Sequence, residues 1–142
     1  MCGIIALFGE EVDLSSYLLS HRGPDDYKTA KLGKCRMDFY RLAINDLTSA
    51  GMQPFMGNKS MLVCNGEIYN HRDFRLGNEK STSDCEVIIP MIQSYGIKKT
   101  AELINGDFAF VYTDGKRIMA ARDPVGVRPL FYTRYDVNSI AF

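Results

Sequence analysis

With 142 residues, 46% of them hydrophobic and 24% charged, the chain suits one soluble globular domain with a packed core and leaves no room for a second. Its 17 Lys and Arg balance 17 Asp and Glu, which gives no electrostatic footprint for nucleic acid or an anionic membrane surface. The longest apolar run, residues 3–9, falls far short of the ~20 residues a bilayer requires, and no leader pattern precedes it, so a cytoplasmic location is expected.

Taken in chain order, the first feature is Cys2, directly after Met1. Removal of Met1 would leave one residue with a thiol of ordinary pKa ~8.5 and an α-amine of pKa ~7.7–8.0 able to take its proton, a nucleophile with its own base. The plainer reading is a small buried cysteine opening a strand. Residues 3–8 are continuously apolar and read as a strand buried on both faces, and residues 14–19 as a short helix. His21-Arg22-Gly23-Pro24-Asp25 is polar and turn-prone, the composition of a surface loop. Residues 34–38 and 61–64 read as strands. Between them Arg41 is a single cation in a strand-like stretch: it can pair with a surface acid, or its planar fork can grip a carboxylate ligand.

Asn65-Gly66 follows a strand and is a hairpin dipeptide, yet an Asn amide and a following Gly N–H also supply the parts of an oxyanion hole. Ser83-Asp84-Cys85-Glu86 has the capping-box pattern and leads into Val87, Ile88, Met91, Ile92 and Tyr95 at helical spacing, with Gly96 as the stop. Pro90 would kink that helix at ~3 kcal/mol. Asp84 in its first turn is either a charge favourable to the helix end or an acceptor for a substrate ammonium. Residues 99–104 suggest a third helix and residues 108–113, 117–121 and 130–133 further strands, with Asp114-Gly115 as a type I′ hairpin turn. Strands with interspersed helices and antiparallel connections predict an α+β domain. Cys2, Cys35, Cys64 and Cys85 show no CxxC spacing, so reduced thiols are expected and no zinc pattern with His21 or His71 emerges.

Together these parts describe a pocket for an α-amino acid whose side chain ends in an acyl group. Arg41 would hold its carboxylate, Asp84 its ammonium, and the Cys2 thiol would face its side-chain carbonyl.

Met1-Cys2-Gly3-Ile4, His21–Asp25, Arg41-Leu42-Ala43-Ile44-Asn45-Asp46, Asn65-Gly66-Glu67-Ile68-Tyr69-Asn70, Ser83–Ile88, Gly106-Asp107-Phe108-Ala109-Phe110 and the run Arg122 to Leu130 occur in the order seen in class II glutamine amidotransferase domains. The chain resembles that family over nearly its whole length, and within it the glutaminase domain of glutamine-hydrolysing asparagine synthetase. The resemblance implies an N-terminal-nucleophile hydrolase fold, an αββα sandwich of two antiparallel sheets, and hydrolysis of L-glutamine to glutamate and ammonia. It makes Cys2 the nucleophile, Asn65 and Gly66 the oxyanion hole, and Arg41 the carboxylate ligand, with backbone at Ile44 and Asn45 alongside and Glu67 and Asp84 at the α-amino end. It implies no metal and no cofactor, ATP entering only with a separate synthetase domain. Implied partners are glutamine, a synthetase or other acceptor-domain chain, and a second copy in a homodimer.

The family's domain continues past the position of Phe142, so residues 1–142 are expected to be incomplete at the C-terminal end, with a strand at residues 139–142 left as an unpaired edge. The connections 9–21 and 70–83 are shorter than is usual in the family. No Ser-Gly-Gly-x-Asp-Ser pyrophosphate loop occurs, so these residues would make ammonia rather than asparagine. Two alternatives stand beside the leading reading: a glutaminase serving a sugar phosphate or phosphoribosyl diphosphate acceptor, and a non-catalytic glutamine-binding or regulatory remnant.

Overall fold

The computed structural model describes residues 1–9 and 19–142, and the helix expected at residues 14–19 lies outside them except for Leu19. Among the described residues nine strands form two sheets, accompanied by one α-helix: β1 Gly3–Phe8, β2 Asp26–Leu32, β3 Cys35–Arg41, β4 Phe55–Gly57, β5 Ser60–Ile68, α1 Ile88–Leu103, β6 Gly106–Thr113, β7 Ile118–Arg122, β8 Thr133–Arg134 and β9 Ile140–Ala141. One sheet runs β2-β3-β1-β9-β8 and the other β4-β5-β6-β7, with every pairing antiparallel. This is the expected α+β sandwich. No helix among the described residues is long and apolar enough to cross a membrane.

Side-chain alternation along the strands decides what lies where. Ala6, Met37, Phe39, Met61, Val63 and Val111 meet between the sheets, and Cys2, Ile4 and Phe8 pack against them. The opposite parity of β1 sends Ile5 and Leu7 to the outer face with Tyr40 and Ala141. The outer face of the second sheet, including Leu62, Cys64, Phe108 and Phe110, is covered by Ile88, Ile89, Met91 and Ile92 of α1. Residue 2 therefore extends β1 with its side chain on the face toward the other sheet.

Several expectations are corrected. The strand β5 runs through Asn65 and Gly66, which pair in register with Ala109 and Phe108, so the dipeptide is no hairpin turn. The helix begins at Ile88, after a single 3-10 turn at Asp84–Val87, and Ser83 makes no side-chain cap bond. Glu86 instead accepts from the N–H groups of Lys80 and Ser81, both at 2.9 Å. Pro90 thus falls in the first turn of α1, where a missing N–H breaks no helical bond. Gly96, at φ 76°, divides α1 into the two helical pieces expected on either side of it.

The β6–β7 loop is four residues long, because Thr113 pairs with Ile118, and Asp114 accepts from Lys116 and Arg117 N–H rather than taking the positive φ of a type I′ turn. Only Thr133 of the expected strand 130–133 is in a strand. At the C-terminal end, β9 is no free edge: it lies between β1 and β8, and Phe142 exchanges backbone bonds of 2.9 and 3.1 Å with Ala6.

Candidate active site

Cys2, Arg41, Ile44, Asn45, Asn65, Gly66, Glu67 and Asp84, all eight of the residues singled out in the sequence, line one cavity of about 90 Å³. It opens at the end of the sandwich where β1 begins and β3 ends. The Cys2 sulfur is held there by the backbone of Leu42, whose N–H donates to it at 3.3 Å while the thiol donates to the Leu42 carbonyl at 3.4 Å. Burial pushes the thiol above its ordinary pKa, and the Leu42 N–H, the chain amino group and Arg41 pull it back.

The polar loop at residues 21–25 is a brace for this arrangement rather than a free surface loop. Arg22 Nε donates to the Cys2 carbonyl at 3.4 Å, and the Asp25 carboxylate accepts from Ala43 N–H at 2.7 Å. Gly23 lies flat on the end of β3, where a Cβ would stand 2.1 Å from the Tyr40 carbonyl oxygen. The motif therefore fixes the thiol-bearing residue and the loop that grips its sulfur at once.

Facing the thiol, β5 offers two donors. The Asn65 side chain lines the cavity, and among the described residues no hydrogen bond engages its amide. Cys64 directs its N–H and C=O to the Gln53 side chain, at 2.6 and 3.1 Å, on the edge facing β4. Strand alternation turns the Gly66 N–H to that same edge, beyond the Phe55 end of β4. Phe108, its partner in register, sends its own N–H and C=O the other way, to Asp123. The Gly66 N–H is thus left out of the ladder. A Cβ at Gly66 would stand 2.6 Å from the Phe108 Cα, so only glycine fits the close β5–β6 approach.

Arg41 is buried and donates to the carbonyls of Thr48, at 2.8 Å, and Asp46. Among the described residues no carboxylate makes a salt bridge with it. Asp84 is buried, with its oxygens accepting from Asn45 Nδ2 at 3.0 Å and Ile68 N–H at 2.6 Å. The cavity thus has a buried cation and carboxylates among its lining groups, with the thiol and two free donors between the sheets. Such a set can orient an α-amino acid by its charged groups and polarise a carbonyl of its side chain.

Sequence reasoning passed over Asp46, Gln53 and Arg128, which also line the cavity. The carboxyl of Asp46 accepts from the Thr48 hydroxyl and N–H and from Thr82 N–H, which hold it down to about 2 against its burial. Its place in the Arg41–Asp46 string was the available signal. Arg128 pairs with Asp107 at 2.5 Å and also contacts the Met1 sulfur, and its backbone is set by the Asp123 carboxylate, which accepts from Gly126, Val127 and Arg128 N–H groups. Here the Arg122–Leu130 motif was the signal. Nothing in the sequence pattern marked Gln53.

Comparison with known proteins agrees with this chemistry. A family model described as "Glutamine amidotransferase domain" matches residues 1–142. A probable asparagine synthetase (glutamine-hydrolysing) of Acanthamoeba polyphaga mimivirus is 39% identical over 93% of this chain and 27% of its own length. The asparagine synthetases (glutamine-hydrolysing) of Rattus norvegicus and Gallus gallus are 40% and 41% identical over 92% of this chain and 26% of their own length. The chain thus spans about a quarter of the length of the curated relatives it matches. A match along all 142 residues, over a fold that gathers the expected residues at one cavity, places the chain in the glutamine amidotransferase domain family.

Proposed function

We propose that this domain hydrolyses the side-chain amide of L-glutamine through a thioester on Cys2. The observation that carries the reading is the shared cavity in which Cys2, Asn65 and Gly66 meet Arg41 and Asp84. Arg41 binds the glutamine α-carboxylate with Ile44 and Asn45 alongside, and Glu67 and Asp84 receive the α-ammonium. The Cys2 thiolate adds to the side-chain carbonyl carbon, and the oxyanion so formed accepts from Asn65 Nδ2 and Gly66 N–H. The α-amine freed by loss of Met1 takes the thiol proton and delivers it to the nitrogen as the C–N bond breaks and ammonia leaves. Water then adds to the thioester through a second oxyanion, releasing glutamate and the thiol.

Processing of Met1 is a requirement, since with Met1 in place the Cys2 nitrogen is a peptide amide without a basic lone pair. The ammonia serves asparagine formation in the cytoplasm by a synthetase domain, in the same or a separate chain, which would bring the ATP chemistry these residues lack. That acceptor is favoured over a sugar phosphate by the relatives' identity with this chain.

Ammonia release from glutamine, measured alongside intact mass, tests the reading. Protein lacking Met1 should release ammonia and be captured on Cys2 by a glutamine-like diazo-ketone, whereas Cys2→Ala should do neither. Equal release from both proteins would dismiss the nucleophile.

A further inference from the structure

Arg41 and Asp84, the charged groups assigned to opposite ends of the amino-acid head, sit on separate elements: the end of β3 and the turn before α1. Neither contacts the other directly in any recorded bond, yet recognition of a rigid head requires their separation to be fixed. Both are tied to residues 45 and 46. The Arg41 guanidinium rests on the carbonyls of Asp46 and Thr48. One carboxylate oxygen of Asp46 accepts from the Thr48 N–H at 2.8 Å and its hydroxyl at 2.6 Å, which closes the turn that presents those carbonyls. The other oxygen reaches across to the Thr82 N–H at 2.8 Å, two residues before Asp84. Asn45 adds a bond of 3.0 Å to Asp84 itself.

We propose that Asp46 is a positioning residue whose buried carboxylate sets the spacing between the Arg41 and Asp84 subsites, and so the affinity for the α-amino acid head of the substrate. The assignment rests on the glutamine reading above. The carboxylate form is the one all three bonds require, and those bonds hold the group ionised at any pH above about 2. Gly51 confirms how tightly the link is packed: a Cβ there would stand 2.7 Å from the Asp46 Cβ and 3.0 Å from Arg41 Nη2. An asparagine at position 46 keeps the size but turns an N–H toward either the Thr48 or the Thr82 donors, so one arm of the link must open.

The test compares Asp46→Asn and Gly51→Ala with the wild type in glutamine turnover and in alkylation of Cys2 by iodoacetamide, a reagent with no amino-acid head. Both variants should raise KM for glutamine roughly 10- to 100-fold while kcat falls less than about threefold. The alkylation rate should stay at the wild-type value, with protection by glutamine displaced to correspondingly higher concentration. An unchanged KM overturns the proposal, and so does a parallel fall in KM-independent turnover and alkylation, which would mark a merely structural role. Calorimetry in a Cys2→Ala background separates the two levels of inference. If Cys2→Ala binds glutamine and the added Asp46→Asn does not weaken it, the positioning role fails and the function stands. If Cys2→Ala binds no glutamine, the substrate assignment fails and takes the positioning role with it.

Discussion

Thiol reactivity follows the thiolate, and the cysteines of this chain are graded by their surroundings. Cys35 lies in the core with its pKa pushed up to about 12 by burial, a value that keeps it protonated. Cys85 is likewise raised well above its ordinary value, by Cys64 beside it and by burial. Cys2 is raised too, but it is only partly buried and has an N–H, an arginine and the chain amino group working against its desolvation. The partner of such a thiol is whatever donor stabilises the developing oxyanion, and the Asn65 amide lines the cavity with no hydrogen bond to it among the described residues. Asn65→Ala should therefore lower kcat for glutamine by about 10²–10³ with little change in KM, since the donor bonds the oxyanion more strongly than the neutral carbonyl. Steady-state ammonia release decides it: a loss of less than about fivefold would place the oxyanion elsewhere.

At the scale of elements, β5 carries the site because it outlasts its neighbour β4, and Gln53 covers the gap. Its side-chain amide pairs with both polar groups of the Cys64 backbone as another strand would. Gln53→Leu leaves a buried N–H and C=O unpaired, at a cost of about 2–4 kcal/mol, which for a chain of this length lowers Tm by roughly 6–15 °C. Lys98→Ala changes an exposed position of α1 and should move Tm by no more than about 2 °C. Thermal unfolding of the two variants checks the contrast. This device also shows why the sequence is only partly legible. The strands with a buried face, β1, β3, β5 and β6, announce themselves by alternation or by continuous apolar residues. The edge strand β2 does not, because Asp26–Leu32 is mostly exposed and owes its conformation to backbone pairing with β3. The strand expected at residues 139–142 is present as β9, but its place between β1 and β8 was not legible, because it depends on partners distant in sequence. The cavity residues were legible where a charge or an Asn-Gly pair recurs in a known string. Gln53 was not, because a side chain acting as backbone leaves no periodic trace.

For the whole molecule, the decisive relation is the spacing of the two sheets, since Cys2 extends one and Asn65 belongs to the other. That spacing is set by the side chains between them, whereas the packing of α1 on the far face of the second sheet supports stability without entering the gap. Two methionines allow the contributions to be separated with one chemical change. Met37 is wholly buried between the sheets, and Met91 is buried between α1 and the second sheet. Truncation of either to alanine removes the same atoms from a packed core and should cost about 2–5 kcal/mol, read as similar falls in denaturation midpoint. Their effects on the site should differ. Met37→Ala lets the sheets settle toward one another and shifts Cys2 against Asn65, where a misplacement of about 1 Å can cost ~10²-fold in rate. Met91→Ala leaves that distance alone. Measured well below both unfolding transitions, capture of Cys2 by the diazo-ketone should slow at least about tenfold in Met37→Ala and less than about twofold in Met91→Ala. Equal slowing would mean that the second sheet moves as readily on its helix as against its partner, and that the thiol and its donors are not held by the inter-sheet core.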